Sequence, residues 1–125
     1  MADIKISDMM EMQTELWKKH QDTWSPMEAE YGRDFILWMI EELGETIAII
    51  KKKGDTAIME ESSVRNAFVE EMSDVLMYYI DTLLRYGVSP EELSAAYLDK
   101  HAKNMGRNYT TEYLSKYTSQ TTESM

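Results

Sequence analysis

Two stretches of this 125-residue chain set acids among apolar residues. The first reads Phe35-Ile-Leu-Trp-Met-Ile-Glu41-Glu42-Leu-Gly-Glu45-Thr-Ile-Ala-Ile-Ile50, the second Ala67-Phe-Val-Glu70-Glu71-Met-Ser-Asp74-Val-Leu-Met-Tyr-Tyr-Ile80. Both have helical spacing. Residues three apart on a helix are separated by roughly 60°, so Glu42 and Glu45 share a face, and Glu71 and Asp74 share another. Phe35, Trp38 and Ile49 fall on the first of these faces; Ala67, Val75 and Tyr78 fall on the second. The ordinary core stripes are expected to one side, as Ile36, Ile40, Leu43 and Ile47 on one helix and Phe68, Met72, Leu76 and Leu83 on the other.

Acidic helix residues usually form a solvated face. Here that arrangement would also put Phe35, Trp38, Ile49 and Tyr78 in water, and a helix apolar nearly all round is normally buried. Glu42, Glu45, Glu71 and Asp74 are therefore expected to point inward, whereas Glu41 and Glu70 fit either environment. Glu41 sits toward Asp34 and Lys52, a more polar flank. Carboxylates ~5 Å apart at an effective dielectric near ~20 repel by about 3 kcal/mol per pair, so a converging set needs protons or cations. Oxygen-only ligands favour hard cations, Mg²⁺ with Mn²⁺ as a substitute, and Mg²⁺ takes much of its remaining shell from phosphates. The chemistry implied is a metal-dependent phosphate site. A di-iron centre would need histidine three residues after glutamate on two helices. The two histidines, His20 and His101, follow Trp17 and Leu98 at that spacing, so the pattern is not met.

Four main helices would carry these groups. The first is expected from about Asp8, capped with Glu11, to about Thr23, where Ser25-Pro26 ends it. The second runs from near Asp34 to Lys53, with Gly54 as its C-terminal stop and Lys51, Lys52 and Lys53 complementing the helix dipole. Asp55 to Ser63 reads as a polar connection. The third runs from about Val64 to Tyr86 and stops at Gly87. Ser89-Pro90-Glu91-Glu92 opens the fourth, which runs to about Asn104 with Gly106 near its end. A short helical piece is expected around Thr111 to Tyr117. No segment alternates as a strand does. The expectation is an all-α, four-helix-bundle protomer over residues 1–117, followed by a loose polar tail over 118–125.

Composition narrows the function classes. With 13 Lys+Arg against 23 Asp+Glu the net charge is −10, and no global basic footprint for duplex nucleic acid is present. The chain has no cysteine, which excludes disulfides, thiolate metal sites and cysteine nucleophiles. Its 43% hydrophobic content is too high for an acidic disordered chain. The opening Met1-Ala2-Asp3-Ile4-Lys5 shows no apolar leader region. The longest apolar run, Phe35 to Ile40, is far below the ~20 residues of a spanning helix. A soluble, cytoplasmic protein without membrane contact is expected. The apolar perimeter of the second and third helices exceeds what one bundle covers, so a homodimer or homotetramer is expected too.

The combination Glu41-Glu42-Leu43-Gly44-Glu45 and Glu71-Met72-Ser73-Asp74 resembles the signature of the all-α nucleoside triphosphate pyrophosphohydrolases. This superfamily includes MazG-like proteins, dCTPase-like enzymes and dimeric dUTPases, and its hallmark is EExxE on one helix and ExxD on the next. The resemblance covers roughly Met9 to Tyr109. Lys100, Asn104 and Arg107, with Lys103, are similar to a Lys-x-x-x-Asn-x-x-Arg stretch in such proteins. The resemblance implies Mg²⁺-dependent hydrolysis of a (deoxy)nucleoside triphosphate to monophosphate and pyrophosphate, in sanitation of the nucleotide pool. It implies Glu42, Glu45, Glu71 and Asp74 as metal ligands, and Glu45 or Glu41 as the group that orients or deprotonates water. Lys100, Lys103, Asn104 and Arg107 would meet the phosphates. Gln13 resembles a base-contacting glutamine of dimeric dUTPases, although Trp17 stands where those enzymes often carry asparagine. Trp17, Trp24, Trp38 and Tyr78 are candidates to stack on a base. The rival from another class is a non-catalytic helical interaction module with a vestigial metal site.

Overall fold

The computed structural model describes residues 2–108 and 110–116, and no strand occurs among them. The helices are α1 (Ile6–His20), α2 (Gly32–Lys53), α3 (Asp55–Glu60), α4 (Ser62–Arg85) and α5 (Pro90–Met105), with a 3₁₀ turn at Ala29–Tyr31. Residues 110–116 are helical as well, over most of the expected C-terminal piece; Tyr117 and the expected loose tail at 118–125 lie outside the described residues. The chain divides into two compact units, Met1–Pro90 and Glu91–Met125. The first contains α1 to α4 and both acidic stretches. No described helix is long and apolar enough to cross a membrane.

Helix ends follow local chemistry. Gly54 (φ +83°) and Gly87 (φ +70°) adopt the left-handed backbone that side chains resist, and they stop α2 and α4 as their positions predict. The Gly54 N–H closes the last turn of α2 by donating to the Ile50 carbonyl at 2.9 Å. The start of α1 differs from expectation. The helix begins at Ile6, and Asp8 lies within its first turn, accepting the Lys5 N–H at 2.9 Å. The polar connection after Gly54 is also more ordered than expected. Asp55–Glu60 form a short helix, α3, because Ile58 finds a buried position there. Six residues are too few to show a period, so packing rather than pattern decided this element.

The first unit is organised around α2 and α4, which run antiparallel. Gly32, at the start of α2, meets Tyr86, just past the end of α4, while Glu42 and Glu45 reach Glu71 near the middle of each helix. A Cβ at Gly32 would lie 2.3 Å from Cε2 of the Tyr86 ring, so any larger residue there would make this half-exposed ring move.

Which face of each helix turns inward is the main departure from the sequence expectation. The stripe Ile36, Ile40, Leu43 and Ile47 is not the core of the chain: Ile40 is 56% exposed and Ile47 51%. On α4, Met72 and Leu76 are likewise exposed, while Phe68 and Leu83 are half-buried. The packed face carries Phe35 and Thr46 from α2 and Ile80, Asp81, Thr82 and Arg85 from α4. Inward threonines are tolerated because their hydroxyls are satisfied locally. Thr46 Oγ1 donates to the Glu42 carbonyl at 3.1 Å and Thr82 Oγ1 to the Tyr78 carbonyl at 2.8 Å. Phe35 thus lies in the internal seam with Glu42 and Glu71 half-buried beside it, Trp38 and Glu45 are exposed at its edge, and the stripe of α2 stays on the outside of the chain.

Candidate metal centre and aromatic cavity

Glu42 and Glu45 lie one turn apart on α2, and Glu71 faces them from α4. One carboxylate oxygen from each lies within 4.8 Å of the other two. Glu42 and Glu71 are half-buried and Glu45 is exposed. Oε2 of Glu42 and Oε2 of Glu71 are shut off from solvent with no hydrogen-bond partner. Burial holds the Glu42 carboxyl above its ordinary value; the approach of the Glu71 side chain opposes this shift, and the charges of Glu45 and Asp74 add to it. Glu71 is pushed up to about 7, first by the close approach of the Glu42 and Glu45 side chains, then by burial and by their charges. Without a cation, this cluster therefore binds a proton near neutral pH. Two orphaned inward oxygens and a third open to solvent suit a small, hard cation that keeps part of its water shell.

Asp74 is half-buried one turn further along α4. It stands outside the trio and lines an adjoining cavity with Glu42. Glu41 is exposed and also outside the trio. The cavity has a volume of about 500 Å³. Its walls are Gln13 and Leu16 from α1, Thr23, Trp24 and Ser25 from the following loop, Phe35 and Trp38 from α2, and Met77, Tyr78 and Asp81 from α4. Phe35, Trp38 and Tyr78 form an aromatic cluster, with ring centroids 4.8 Å apart for Phe35–Trp38 and 6.3 Å for Trp38–Tyr78. Burial, followed by the charge of Glu42, raises the Tyr78 hydroxyl above its ordinary value and keeps it a proton donor.

Gln13, Trp38 and Tyr78, singled out from the sequence, thus share one cavity beside Glu42. Of the other stacking candidates, Trp24 joins them and packs on His20 at 4.7 Å. Trp17 is used structurally: its Nε1–H donates to the Ser25 carbonyl at 2.9 Å.

The cationic candidates belong to the second unit. Lys100, Lys103 and Arg107 are exposed, and Asn104 is half-buried. The helix ends at Met105, so Arg107 lies beyond the face it was expected to share. Its Nη1 instead reaches Oδ1 of Asn104 at 3.3 Å, and its Nε pairs with Glu112 at 2.8 Å. Lys103 pairs with Asp99 at 3.1 Å. Tyr109, at the end of the resemblance, lies outside the described residues.

Sequence reasoning missed Asp81. It is 1% exposed and lines the cavity. Its Oδ2 accepts from Gln13 Nε2 at 3.1 Å and its Oδ1 from Arg85 Nε at 2.5 Å. A signal was present: Glu71, Asp74, Tyr78, Asp81 and Arg85 continue one helical face at three- and four-residue steps. No family model, curated protein or solved structure matches this chain.

Proposed function

We propose that the chain is a Mg²⁺-dependent nucleoside triphosphate pyrophosphohydrolase of the all-α, MazG-like kind. The observation that carries this reading is the convergence of Glu42, Glu45 and Glu71, with two partnerless buried oxygens, at the edge of an aromatic cavity. The trio fits a hard cation by donor type and by its orphaned oxygens. Mg²⁺ (or Mn²⁺) bound there would neutralise the triphosphate and lower the pKa of the attacking water. Glu42, Glu45 and Glu71 would hold the ion, with Asp74 as a further ligand beside Glu42. Glu45 or Glu41 orients the water and takes its proton. Water oxygen bonds to the α-phosphorus, the α–β anhydride bond breaks, and pyrophosphate leaves with that electron pair. Trp24, Trp38 and Tyr78 line the cavity as the candidates to stack on the base. By resemblance alone, Lys100, Lys103, Asn104 and Arg107 are the candidates for phosphate contact.

The reading extends to assembly as a homodimer or homotetramer. The aliphatic stripes of α2 and α4 are exposed on the single chain, and a second copy would cover them. A non-catalytic interaction module is the second reading. It is favoured by Lys103 and Arg107 already having acidic partners in Asp99 and Glu112, although exposed pairs of this kind are weak and easily exchanged.

The test is incubation with a panel of ribo- and deoxynucleoside triphosphates and Mg²⁺, with the products resolved. Monophosphate and pyrophosphate in equal amounts are expected. Orthophosphate as the first product, or no turnover with any nucleotide, rejects the enzyme reading.

A further inference from the structure

We propose that a second copy of this chain docks on the outer face of α2, the two α2 helices crossing antiparallel with Leu43 of each seated over Gly44 of the other. This rests on the reading that assembly covers the exposed stripes, and it names the face, the direction and the register.

Gly44 carries the inference. Glycine weakens a helix interior more than any residue except proline. Gly44 lies near the middle of α2, a helix of 22 residues, and is exposed. Its φ is not positive, unlike those of Gly54 and Gly87. A Cβ at Gly44 would meet nothing within 4 Å, whereas one at Gly32 would meet the Tyr86 ring. Neither backbone conformation nor packing within the chain calls for glycine at this position. The remaining use of such a gap is to let another group come close from outside the chain.

The surface around the gap fits a copy of itself. Ile36, Leu37, Ile40, Leu43, Ile47 and Ile50 are 38% to 56% exposed, and all lie within about 80° of Ile40 around the helix. They leave roughly 500 Å² of apolar surface in water, near the upper end for the largest patch of a lone monomer. That is most of the ~800 Å² each partner brings to a stable interface. Between Arg33 and Lys51 the face carries no charge, and Glu41 and Glu45 lie at about 100° and 140° from Ile40. Two chains of net charge −10 can therefore meet here without burying an acid. A two-fold axis makes each feature meet its counterpart. Set across the helices between residues 43 and 44, it places Leu43 opposite Gly44 twice over, a bulky side chain into a gap, and Ile40 opposite Ile47. A parallel pair would set Gly44 against Gly44 and Leu43 against Leu43. It would also bring Lys51, Lys52 and Lys53 of both copies together, whereas the antiparallel pair separates them and opposes the helix dipoles.

The experiment is sedimentation velocity over a range of concentrations, on the full chain and on Gly44→Gln. Self-association is expected for the unaltered protein. Glutamine is a good helix former and has room at this position within the single chain. The variant should keep its helical circular dichroism yet associate about tenfold more weakly or worse, which a role confined to the single chain would not produce. Because the chain has no cysteine, single cysteines report the register. Leu43→Cys should form a covalent pair with oxidised glutathione. Ile36→Cys, about 22 Å from its counterpart in the antiparallel register, should not; a parallel pair would link both. Cross-linking through Ile36→Cys, or none through Leu43→Cys, overturns the proposal. Association unchanged in Gly44→Gln also overturns it, but leaves the assembly reading to the stripe of α4. A monomer at every concentration removes both.

Discussion

Asp81 and Arg85 lie one helical turn apart on α4 and form an ion pair with Nε and Oδ1 2.5 Å apart, the side chains 1% and 0% exposed. The pair joins three segments: α1 through Gln13, the Ser25–Pro26 loop through Arg85 Nη1, and α2 through the face of Phe35. It sits at the end of the cavity farther along α4 from the carboxylates, and its own Arg85 Nη2 is buried without a hydrogen-bond partner.

Truncating one partner should be costly. Arg85→Met leaves Asp81 buried and uncompensated, a loss of about 3–5 kcal/mol in comparable cases. Urea unfolding followed by circular dichroism should show it. The double variant Arg85→Met with Asp81→Asn should recover part of the loss, because the isolated charge is gone. An Arg85→Met loss within experimental error of zero would show that the pair does not brace the unit.

Glu71→Gln should abolish pyrophosphate release while leaving the helical spectrum intact. The unaltered protein should melt at a higher temperature with saturating Mg²⁺, since a ligand bound only to the folded state stabilises it by mass action. The variant should lose most of that increment. Retained turnover would remove Glu71 from the site.

The metal-free protein should lose stability as pH rises. Glu71 titrates near 7 when folded against an ordinary carboxyl value of 4.5, so the folded state binds the extra proton between those values. Below about 4.5 both states are protonated and the group contributes no difference. Through 5, 6 and 7 the unfolded state is progressively favoured, and the effect levels off above the folded value. Burial acts in the same direction on Glu42. Thermal melts in chelator from pH 5 to 8 should therefore decline, less so in Glu71→Gln, and Mg²⁺ should remove the decline. A chelated protein that gains stability over this range through these groups would contradict the close approach of the three carboxylates.

Ile40 is 56% exposed within a stripe that also includes Ile36, Leu43 and Ile47. Light scattering after size exclusion should give a multiple of the chain mass, and Ile40→Lys should shift it toward the single chain. A monodisperse monomer in the unaltered protein would leave those stripes exposed and remove the assembly from the reading.

Much of this was legible from spacing alone. Helical periods fixed the long elements to within a few residues, and Gly54 and Gly87 marked two of their ends because a positive φ suits glycine best. The meeting of Glu42 and Glu45 with Glu71 was likewise expected, since a three-residue step aligns side chains on any α-helix, but Glu45 is exposed rather than inward and Asp74 stands outside the trio it was expected to join. Asp81 was missed because its face was not followed past Tyr78, and α3 because a single buried Ile58 makes no pattern.

Pattern could not choose between two apolar faces on one helix. Ile36, Ile40, Leu43 and Ile47 make as good a core stripe as the face that carries Phe35 and Thr46, and a wheel shows both without ranking them. The choice depended on how α2 and α4 meet: Gly32 admits the Tyr86 ring, and Arg85 lies over Phe35. Sequence determined which residues travel together, because helix geometry is local. Tertiary packing decided which set is enclosed, because enclosure depends on the shape and charge of a partner surface far away along the chain.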